Sequence, residues 1–263
     1  MTIALDSTNS PELVARLEEA ALNGLPALQT EFYDGWIVRM AEGYSRRANC
    51  VVPLYESTTP LQEKLVHCEA AYARASLPCL FKIFPACQPE NLDETLAQLQ
   101  YSKDADTLVQ TMRLEARSAS SSAISLYEDA TDEWLETWIR LSGRNQHSDI
   151  LRTLLNAIPT PSAYVVARTD GQSVGCARAV VSGSIMGLFD LMVDPEHRGQ
   201  GFGRGLLEAR LNWGFEQGAR LAYLQVMANN EPALTLQRKY GFSESYRYWY
   251  RVQPSSDMED GNC

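Results

Sequence analysis

Three glycines alternate with other residues between two arginines in the second half of the sequence. The run, named the glycine loop here, is Arg198-Gly199-Gln200-Gly201-Phe202-Gly203-Arg204. Glycine lets the backbone turn tightly and brings bare N–H groups against a ligand. A helix is expected from about Gly203, and the amides and dipole of a helix N-terminus attract anions. Together with the two arginine charges, these features predict a site for a pyrophosphate group.

The spacing of the glycines distinguishes this loop from two other phosphate-binding loops. A P-loop requires a Gly-Lys pair, and the sequence contains none. A dinucleotide-binding fingerprint requires a third glycine at the position that Leu206 occupies. The spacing that remains is Arg-x-x-Gly-x-Gly, formed by Arg198, Gly201 and Gly203.

A second motif follows on a predicted helix. It reads Asn-x-x-Ala-x-x-Leu at Asn230, Ala233 and Leu236, and Gly241-Phe242 closes the helix. The two motifs resemble motifs A and B of the GCN5-related N-acetyltransferases, over roughly residues 124–252. The resemblance implies that the glycine loop binds the pyrophosphate of coenzyme A. It also implies a splayed strand before the second motif, which opens a slot for the pantetheine arm.

The resemblance further implies which residues contact acetyl-CoA, the acyl donor. The backbone around Met192 and Val193 is expected to hydrogen-bond the acetyl carbonyl or the pantetheine. Such N–H groups would also stabilise a tetrahedral oxyanion. The expected cofactor-binding residues are Leu191, Met192, Val193, Arg198, Gly199, Gln200, Gly201, Phe202, Gly203, Arg204, Asn230 and Ala233.

The candidate general acid departs from the family pattern. The family often places a tyrosine directly after the motif B leucine, as the acid for the departing thiolate, and Gln237 occupies that position here. Tyr240 lies three residues further along, nearly on the same helical face, and is either a substitute acid or a core residue. A coenzyme A thiol has a pKa of roughly 8–9, like cysteine, so its thiolate also leaves tolerably without an acid.

Asp190 is the candidate general base. It interrupts the apolar strand 188–193, where an unpaired buried charge would be costly. Its carboxylate is therefore either hydrogen-bonded for structural reasons or faces the acceptor cleft. In the cleft it would help to generate the neutral amine that attacks the thioester, often through a water molecule. The sequence leaves both interpretations open.

Composition limits the partners and the compartment. The formal net charge of -10 argues against a protein that binds nucleic acid or an anionic membrane. The N-terminus lacks a charged-then-apolar leader and no apolar run approaches eighteen residues, so a cytoplasmic protein is expected. None of the six cysteines forms a CxxC pair and the three histidines are far apart, so no metal site is expected.

A serine- and alanine-rich stretch, 118–123, reads as a linker between two halves of ordinary domain size. Residues 1–117 are expected to form a degenerate GNAT-like domain, because residues 34–49 resemble the N-terminal region of two-domain members of the superfamily. Residues 124–253 form the expected catalytic domain, and 254–263 a disordered acidic tail.

The predicted fold class is α/β (α+β), with two tandem acyl-CoA N-acyltransferase (GNAT-like) domains. Each would have a mixed, mostly antiparallel central sheet flanked by helices.

Apolar periodicity predicts the elements of both halves. In the first half, helices are expected at 11–23, from 59 onward and at 91–100, with strands at 35–40, 78–84 and 107–114. In the second half, helices are expected at 132–141, 149–157, 203–217 and 232–240, with strands at 163–168, 173–181, 185–193, 222–227 and 246–252.

Two groups of polar residues are candidates for contact with the acceptor. Arg39, Arg46, Arg47 and Asn49 either line an acceptor cleft or form a basic turn on an acidic surface. The run Arg144-Asn145-Gln146-His147 lies between two predicted helices, where family members usually shape the acceptor pocket, and this assignment rests on analogy.

The sequence therefore predicts an N-acetyltransferase that moves an acetyl group from acetyl-CoA to a primary amine by direct attack in a ternary complex. The acceptor would be a small molecule or a peptide, and the sequence does not identify it. A homodimer is possible, but the sequence does not determine the oligomeric state. The alternative is a catalytically weak or inactive acyl-CoA sensor, because Gln237 occupies the position where the family often has the tyrosine acid.

Overall fold

The computed structural model describes residues 10–116 and 123–254. Contacts divide the chain into two compact units, neither continuous in sequence. Unit 1 comprises Met1–Ala15, Ala27–Leu108 and Tyr246–Cys263, and unit 2 comprises Arg16–Pro26 and Val109–Ser245. The predicted linker, apart from residue 123, and the predicted tail, apart from residue 254, lie outside the described residues. The domain ranges 1–117 and 124–253 stay a prediction.

The described residues form seven α-helices and eleven β-strands. The helices are α1 (Pro11–Gly24), α2 (Leu61–Arg74), α3 (Leu92–Gln98), α4 (Asp132–Ser142), α5 (Ser148–Asn156), α6 (Phe202–Glu216) and α7 (Glu231–Tyr240). The strands are β1 (Gln29–Tyr33), β2 (Trp36–Met40), β3 (Val51–Pro53), β4 (Leu80–Ile83), β5 (Ser102–Arg113), β6 (Ile124–Tyr127), β7 (Ser162–Thr169), β8 (Gln172–Ser182), β9 (Ile185–Val193), β10 (Leu221–Met227) and β11 (Ser243–Val252). Among these helices, none is long and apolar enough to cross a membrane.

Unit 1 contains a mixed sheet in the order β1-β2-β3-β4-β11. The β1–β2 hairpin is closed by Asp34-Gly35, with Tyr33 paired to Trp36. Strands β3 and β4 are parallel, whereas β4 and β11 are antiparallel. Helix α2 is anchored to this sheet because the Tyr72 hydroxyl donates a hydrogen bond to the Arg39 carbonyl on β2, at 2.7 Å.

The basic residues after β2 form a compact turn. The side-chain oxygen of Asn49 accepts hydrogen bonds from the N–H groups of Ala41 (2.7 Å) and Gly43 (3.0 Å). The Arg39 guanidinium donates to the Arg47 carbonyl at 2.5 Å. These bonds satisfy backbone groups that the turn would otherwise leave unpaired, so Arg39 and Asn49 have a structural role within unit 1.

Unit 2 contains a mixed, mostly antiparallel sheet in the order β10-β9-β8-β7-β6. Strands β6 to β9 pair antiparallel, and β10 pairs parallel to β9. The Asp170-Gly171 pair closes the β7–β8 hairpin as a two-residue turn, as the dipeptide predicts. This sheet type, flanked by helices, confirms the predicted fold class.

Helix α6 is fixed in unit 2 by an apolar cluster beneath its first turns. Its members lie on α6, β7 and β8: Val165, Ala167, Val174, Ala177, Leu206 and Ala209. Leu191, Val193 and Phe202 pack against the cluster from β9 and the start of α6. Gly205 lies so close to β6 that an added Cβ would be 3.1 Å from the Ile124 side chain. The N-terminus of α6 is therefore held beside the end of β9.

The helices expected from periodicity are present, but three short strands were missed. Strand β1 is largely exposed, and β3 and β6 have only three and four residues. Such segments bury too few side chains to show a clear alternation of apolar and polar residues. Their pairing depends on neighbours that are distant in sequence, as between β6 and β7.

The two Asp-Gly hairpins provide a matched test of backbone strain and packing. Gly35 and Gly171 have similar φ values, +83° and +75°. At Gly35 an added Cβ would lie 2.6 Å from the Tyr55 carbonyl oxygen and closer still to that of Glu56, whereas at Gly171 it meets nothing within 4 Å. We predict that Gly171→Ala lowers the free energy of unfolding by about 1–2 kcal/mol, through strain alone. Gly35→Ala should lower it by about 2–5 kcal/mol, because steric overlap is added.

Urea denaturation of both variants and the wild type measures the difference. Equal losses in the two variants would contradict the close approach of Gly35 to the chain at residues 55–56.

Candidate functional site

The glycine loop joins the end of β9 to the start of α6. After β9 ends at Val193, residues Pro195–His197 form a single 3-10 turn, which the Asp194 side chain caps by accepting from the Glu196 N–H at 3.1 Å. That hydrogen bond, with help from Arg140, lowers the pKa of Asp194. The Arg198 side chain folds back onto the Val193 carbonyl at 3.3 Å. The loop is therefore tied to the strand from which it departs.

Two glycines of the loop adopt conformations that other residues rarely take. Gly199 has φ +75° and Gly201 has φ +92°. A Cβ added to either residue would meet nothing within 4 Å. The space beside the loop backbone is therefore open, and bare peptide groups face it.

The N-terminus of α6 carries the positive end of the helix dipole, and its first turn contains no countercharge. Its cap residue Gly201 has no side chain to bond the first amides, and the first turn contains no acidic residue. The other six helices that the structure describes each have an acidic residue in the first turn. The first amides of a helix have no partner within the helix. Arg204 in this turn is 71% exposed and pairs with Glu208 one turn later. The uncapped amides and the helix dipole therefore suit this end of α6 to bind an anion.

Strands β9 and β10 pair along only part of their lengths. The parallel register runs from Leu221 opposite Ile185 to Leu224 opposite Leu188. Both strands continue beyond this point, to Val193 and Met227. Among the described residues no pairing joins these later portions, so the two strands separate toward the end at which the glycine loop lies.

A β-bulge lies where the separation begins. On β8 and β9, Arg178 pairs with Phe189 and Cys176 pairs with Met192, so two residues of β9 stand opposite Ala177. One of these two is Asp190, whose φ is +56°. Aspartate tolerates this left-handed conformation better than most residues. The bulge redirects Leu191, Met192 and Val193, the last residues of β9.

The Asp190 side chain is held by a buried arginine. Its Oδ2 accepts from Arg178 Nε at 2.9 Å, and the two side chains are 14% and 1% exposed. Another nitrogen of the same guanidinium donates to the Gly24 carbonyl at 2.6 Å, and the group lies 4.4 Å from the centre of the Phe189 ring. The structure therefore gives Asp190 a structural partner that the sequence alone did not identify.

A second buried arginine, Arg210 on α6, lies beside this pair. One guanidinium nitrogen donates to the carbonyls of both Arg178 and Phe189, at 3.2 Å each, and Nε donates to the Leu206 carbonyl at 3.0 Å. Burial lowers the pKa of Arg210, and the Asp190 charge opposes that effect. Two guanidinium groups and one carboxylate thus surround the bulge.

Tyr240 lies at the end of α7 and is bonded to α6. Its hydroxyl donates to Glu208 Oε1 at 2.6 Å, and Arg204 donates to the same oxygen at 2.9 Å. Burial, followed by the hydrogen bond to Glu208 and the charge of that residue, raises the pKa of Tyr240 to about 12. The hydroxyl proton is therefore directed to a carboxylate and is bound more tightly than in a free tyrosine.

The second motif forms the first turn of α7. Asn230 caps the helix, because its Oδ1 accepts from the Ala233 N–H at 3.3 Å. Further along α7, Gln237 is 9% exposed and its Oε1 has no hydrogen-bond partner among the described residues. Such a buried acceptor costs free energy unless a ligand or water pairs with it. Gln237 thus presents an unused acceptor at the position where the family often has tyrosine.

The predicted site residues fall into three groups in unit 2. Leu191 lies at the bulge and Met192 and Val193 follow it, and residues 198–204 form the loop and first turn of α6. Asn230 and Ala233 lie on α7, with Tyr240 at its other end. Arg178, Arg210 and Glu208 were not predicted from the sequence as site residues. A signal for Arg178 was available, since a charge in the apolar run of β8 requires a buried partner.

The chain is similar to three known proteins in sequence or in fold. An uncharacterized N-acetyltransferase of Bacillus subtilis, YobR, is 25% identical over 247 residues, which cover 91% of this chain and 98% of that protein. The structure of a GCN5-related N-acetyltransferase from Kribbella flavida matches with a TM-score of 0.68 at 17% identity, covering 94% of this chain and 97% of that one. A tandem GNAT protein from the clavulanic acid biosynthesis pathway matches with a TM-score of 0.58 at 17% identity, covering 74% and 70%.

A family model described as "Probable histone acetyltransferase Rv0428c C-terminal" matches residues 13–251. The match spans nearly the whole chain, including both motifs and the bulge. The chain therefore belongs to the Rv0428c C-terminal acetyltransferase family and is an N-acetyltransferase of the GCN5-related superfamily.

Proposed function

We propose that the protein transfers an acetyl group from acetyl-CoA to a primary amine, by direct attack of the amine in a ternary complex. The observation that carries this proposal is the glycine loop at the uncapped N-terminus of α6, beside two strands that separate. An anionic diphosphate fits the loop, and an extended chain fits the gap between strands.

The residues present suit coenzyme A in three respects. The open space at Gly199 and Gly201 admits a phosphate against bare backbone. Arg198 adds positive charge at the start of the loop, and Arg204, which is paired with Glu208, has an exposed guanidinium at its end. The unpartnered Oε1 of Gln237 is an acceptor that a donor group of the ligand would satisfy. Asn230 and Ala233 contribute by shaping the start of α7.

The bulge is proposed as the place where the acetyl carbonyl binds. Leu191, at the bulge, and Met192 and Val193, just after it, lie in the portion of β9 that does not pair with β10, where the N–H groups directed away from β8 face the gap. Fixed N–H groups aimed at a developing oxyanion stabilise the transition state. The nearby positive charges of Arg178 and Arg210 would also favour a developing oxyanion.

Proton transfer is proposed to depend little on the two candidate side chains. The Asp190 carboxylate is engaged by Arg178, and the Tyr240 proton is engaged by Glu208. The acceptor would then react in its neutral form after losing its proton to solvent, and the thiolate would leave without an acid. The roles of Asp190 as base and Tyr240 as acid stay predictions for the experiments below.

The proposed acceptor is a primary amine on a small molecule or on a peptide. Residues 144–147, between α4 and α5, are the proposed contacts. The alternative function, an acyl-CoA sensor with little or no turnover, shares the same donor site and differs only in chemistry. A thiol-release assay over a panel of amines separates the two, since a sensor would bind coenzyme A and release no thiol.

We predict that Gly201→Glu abolishes coenzyme A binding, because it places a carboxylate against the diphosphate. A like charge about 4 Å away costs about 4 kcal/mol near a protein surface, or roughly 1,000-fold in Kd. Gly218→Glu is the matched control, since Gly218 has φ +90° and open space around it at the other end of α6. Calorimetry with coenzyme A should show binding to the control and none to Gly201→Glu; equal loss in both would refute the loop as the diphosphate site.

For Tyr240, we predict that removal of the hydroxyl leaves turnover nearly intact. A general acid contributes about 100-fold or more, whereas Tyr240→Phe should change kcat less than about 3-fold. The reason is that the proton is held by Glu208 and the pKa of Tyr240 is about 12. Steady-state kinetics decide the point, and a fall of two orders of magnitude would establish Tyr240 as the acid.

For Asp190, the shape of the pH profile is the discriminating measurement. Asparagine accepts a positive φ, so Asp190→Asn keeps the bulge conformation and removes the charge. We predict a lower kcat whose dependence on pH matches that of the wild type, because ionisation of Asp190 does not limit the rate. If Asp190 is the base, the rise of kcat with pH that follows its ionisation disappears in the variant. Asp190→Asn alone leaves the Arg178 charge buried and unpaired, which destabilises the fold. The double variant Asp190→Asn/Arg178→Met removes both charges and is the control for this effect.

A further inference from the structure

Backbone carbonyls beside the bulge, on β8 and β9, accept hydrogen bonds from side chains on two helices. The Ala177 carbonyl, opposite the bulge, accepts from Trp134 Nε1 of α4 at 2.9 Å. The carbonyls of Arg178 and Phe189, the last regular pair before the bulge, both accept from Arg210 of α6. A bulge interrupts the ladder of backbone hydrogen bonds. The Trp134 and Arg210 side chains donate hydrogen bonds to the carbonyls next to this interruption.

Arg210 is an unusual choice of residue for its position. It is 1% exposed, in the middle of a helix whose neighbouring residues Leu206, Leu207 and Leu211 are apolar and buried. Burial of a cation is costly unless its hydrogen bonds are satisfied. Here three carbonyls accept from it, and one of them, on Leu206, belongs to α6 itself. The side chain therefore joins the helix that bears the glycine loop to the two strands that form the bulge.

We infer that Arg210 is a positioning residue of the transfer site, which sets the bulge of β9 in register with the N-terminus of α6. This inference rests on the proposed function. In the proposed complex, the start of α6 binds the diphosphate of acetyl-CoA, and backbone amides at the bulge bind its acetyl group. The planar guanidinium of Arg210 bonds both elements and so fixes their separation. Lysine cannot replace it fully, because its ammonium group lacks the several directed N–H donors of a guanidinium.

The test uses Arg210→Met and Arg210→Lys in the full chain. Methionine fills a similar volume without donors, and lysine retains the charge with fewer directed donors. Arg220→Met is the control, because Arg220 also donates to two backbone carbonyls, of Phe215 and Ala219, and stacks on an aromatic ring, but lies past the other end of α6.

We expect Arg210→Met to lower kcat by about 10- to 100-fold, the effect of a displacement of up to about 1 Å at a reacting group. The Kd for coenzyme A should stay within about 3-fold of the wild type, since the glycine loop remains intact. Arg210→Lys should recover part of kcat, and Arg220→Met should match the wild type. Unchanged kcat in Arg210→Met, or an equal loss of kcat in Arg220→Met, would overturn the inference.

Amide hydrogen exchange of residues 187–193 provides a readout that does not require turnover. Exchange there should be faster in Arg210→Met than in the wild type, at a temperature where both are folded. If Arg210→Met does not fold, Arg210→Lys gives the same comparison. If the wild type acetylates no amine, the proposed function fails, and the exchange data still decide whether Arg210 holds the bulge. Equal exchange in wild type and variants would reject that role.

Discussion

The organisation of the site depends on a charged cluster inside unit 2. A strand that pairs with β8 on one side and must leave β10 on the other needs a break in its regular geometry. Asp190 supplies that break through its positive φ, and Arg178 neutralises its carboxylate in a place where an isolated charge would be very costly. The ion pair thus lets a charged residue stand at the break without leaving its charge unpaired inside unit 2. The break and the point where β9 and β10 stop pairing lie next to each other along β9.

Helices α6 and α7 are also held in place by contacts that lead back to the bulge. Helix α6 contacts the bulge through Arg210 and the sheet through Leu206 and Ala209. Helix α7 is joined to α6 by the contact of Tyr240 with Glu208. Each of these links is made by side chains with defined donors and acceptors, so the end of β9, the start of α6 and the second motif keep fixed relative positions within unit 2.

Local features were predictable from the sequence because their causes are local. The glycine loop, the start of α6 and the Asp170-Gly171 hairpin follow from residue types within a few positions of each other. The capping role of Asn230 is equally local, since asparagine before Glu231-Pro232 is a common helix start. Asn230 was nevertheless predicted only as a cofactor-binding residue.

The bulge and its partners were not predictable, because they depend on register. Asp190 pairs with Arg178, twelve residues away, only if β8 and β9 slip by one residue at Ala177. Arg210 meets the same place only after α6 packs on the sheet. An aspartate in an apolar strand indicates that a partner exists, but it does not identify the partner. The same limit applies to Tyr240, whose spacing on α7 suggested either an acid or a core residue and did not reveal Glu208 as its partner.

The hydrogen bonds of the glycine loop have a thermodynamic consequence. Its ends and middle are tied by the Arg198 and Gln200 side chains to backbone carbonyls and by the Gly205 N–H to the Gly201 carbonyl. Ordering a flexible residue costs about 1–2 kcal/mol of conformational entropy, and a loop that is already tied incurs little of that cost when an anion arrives. Association should therefore proceed without a slow folding step, and the affinity should reflect charge and fit more than loop ordering.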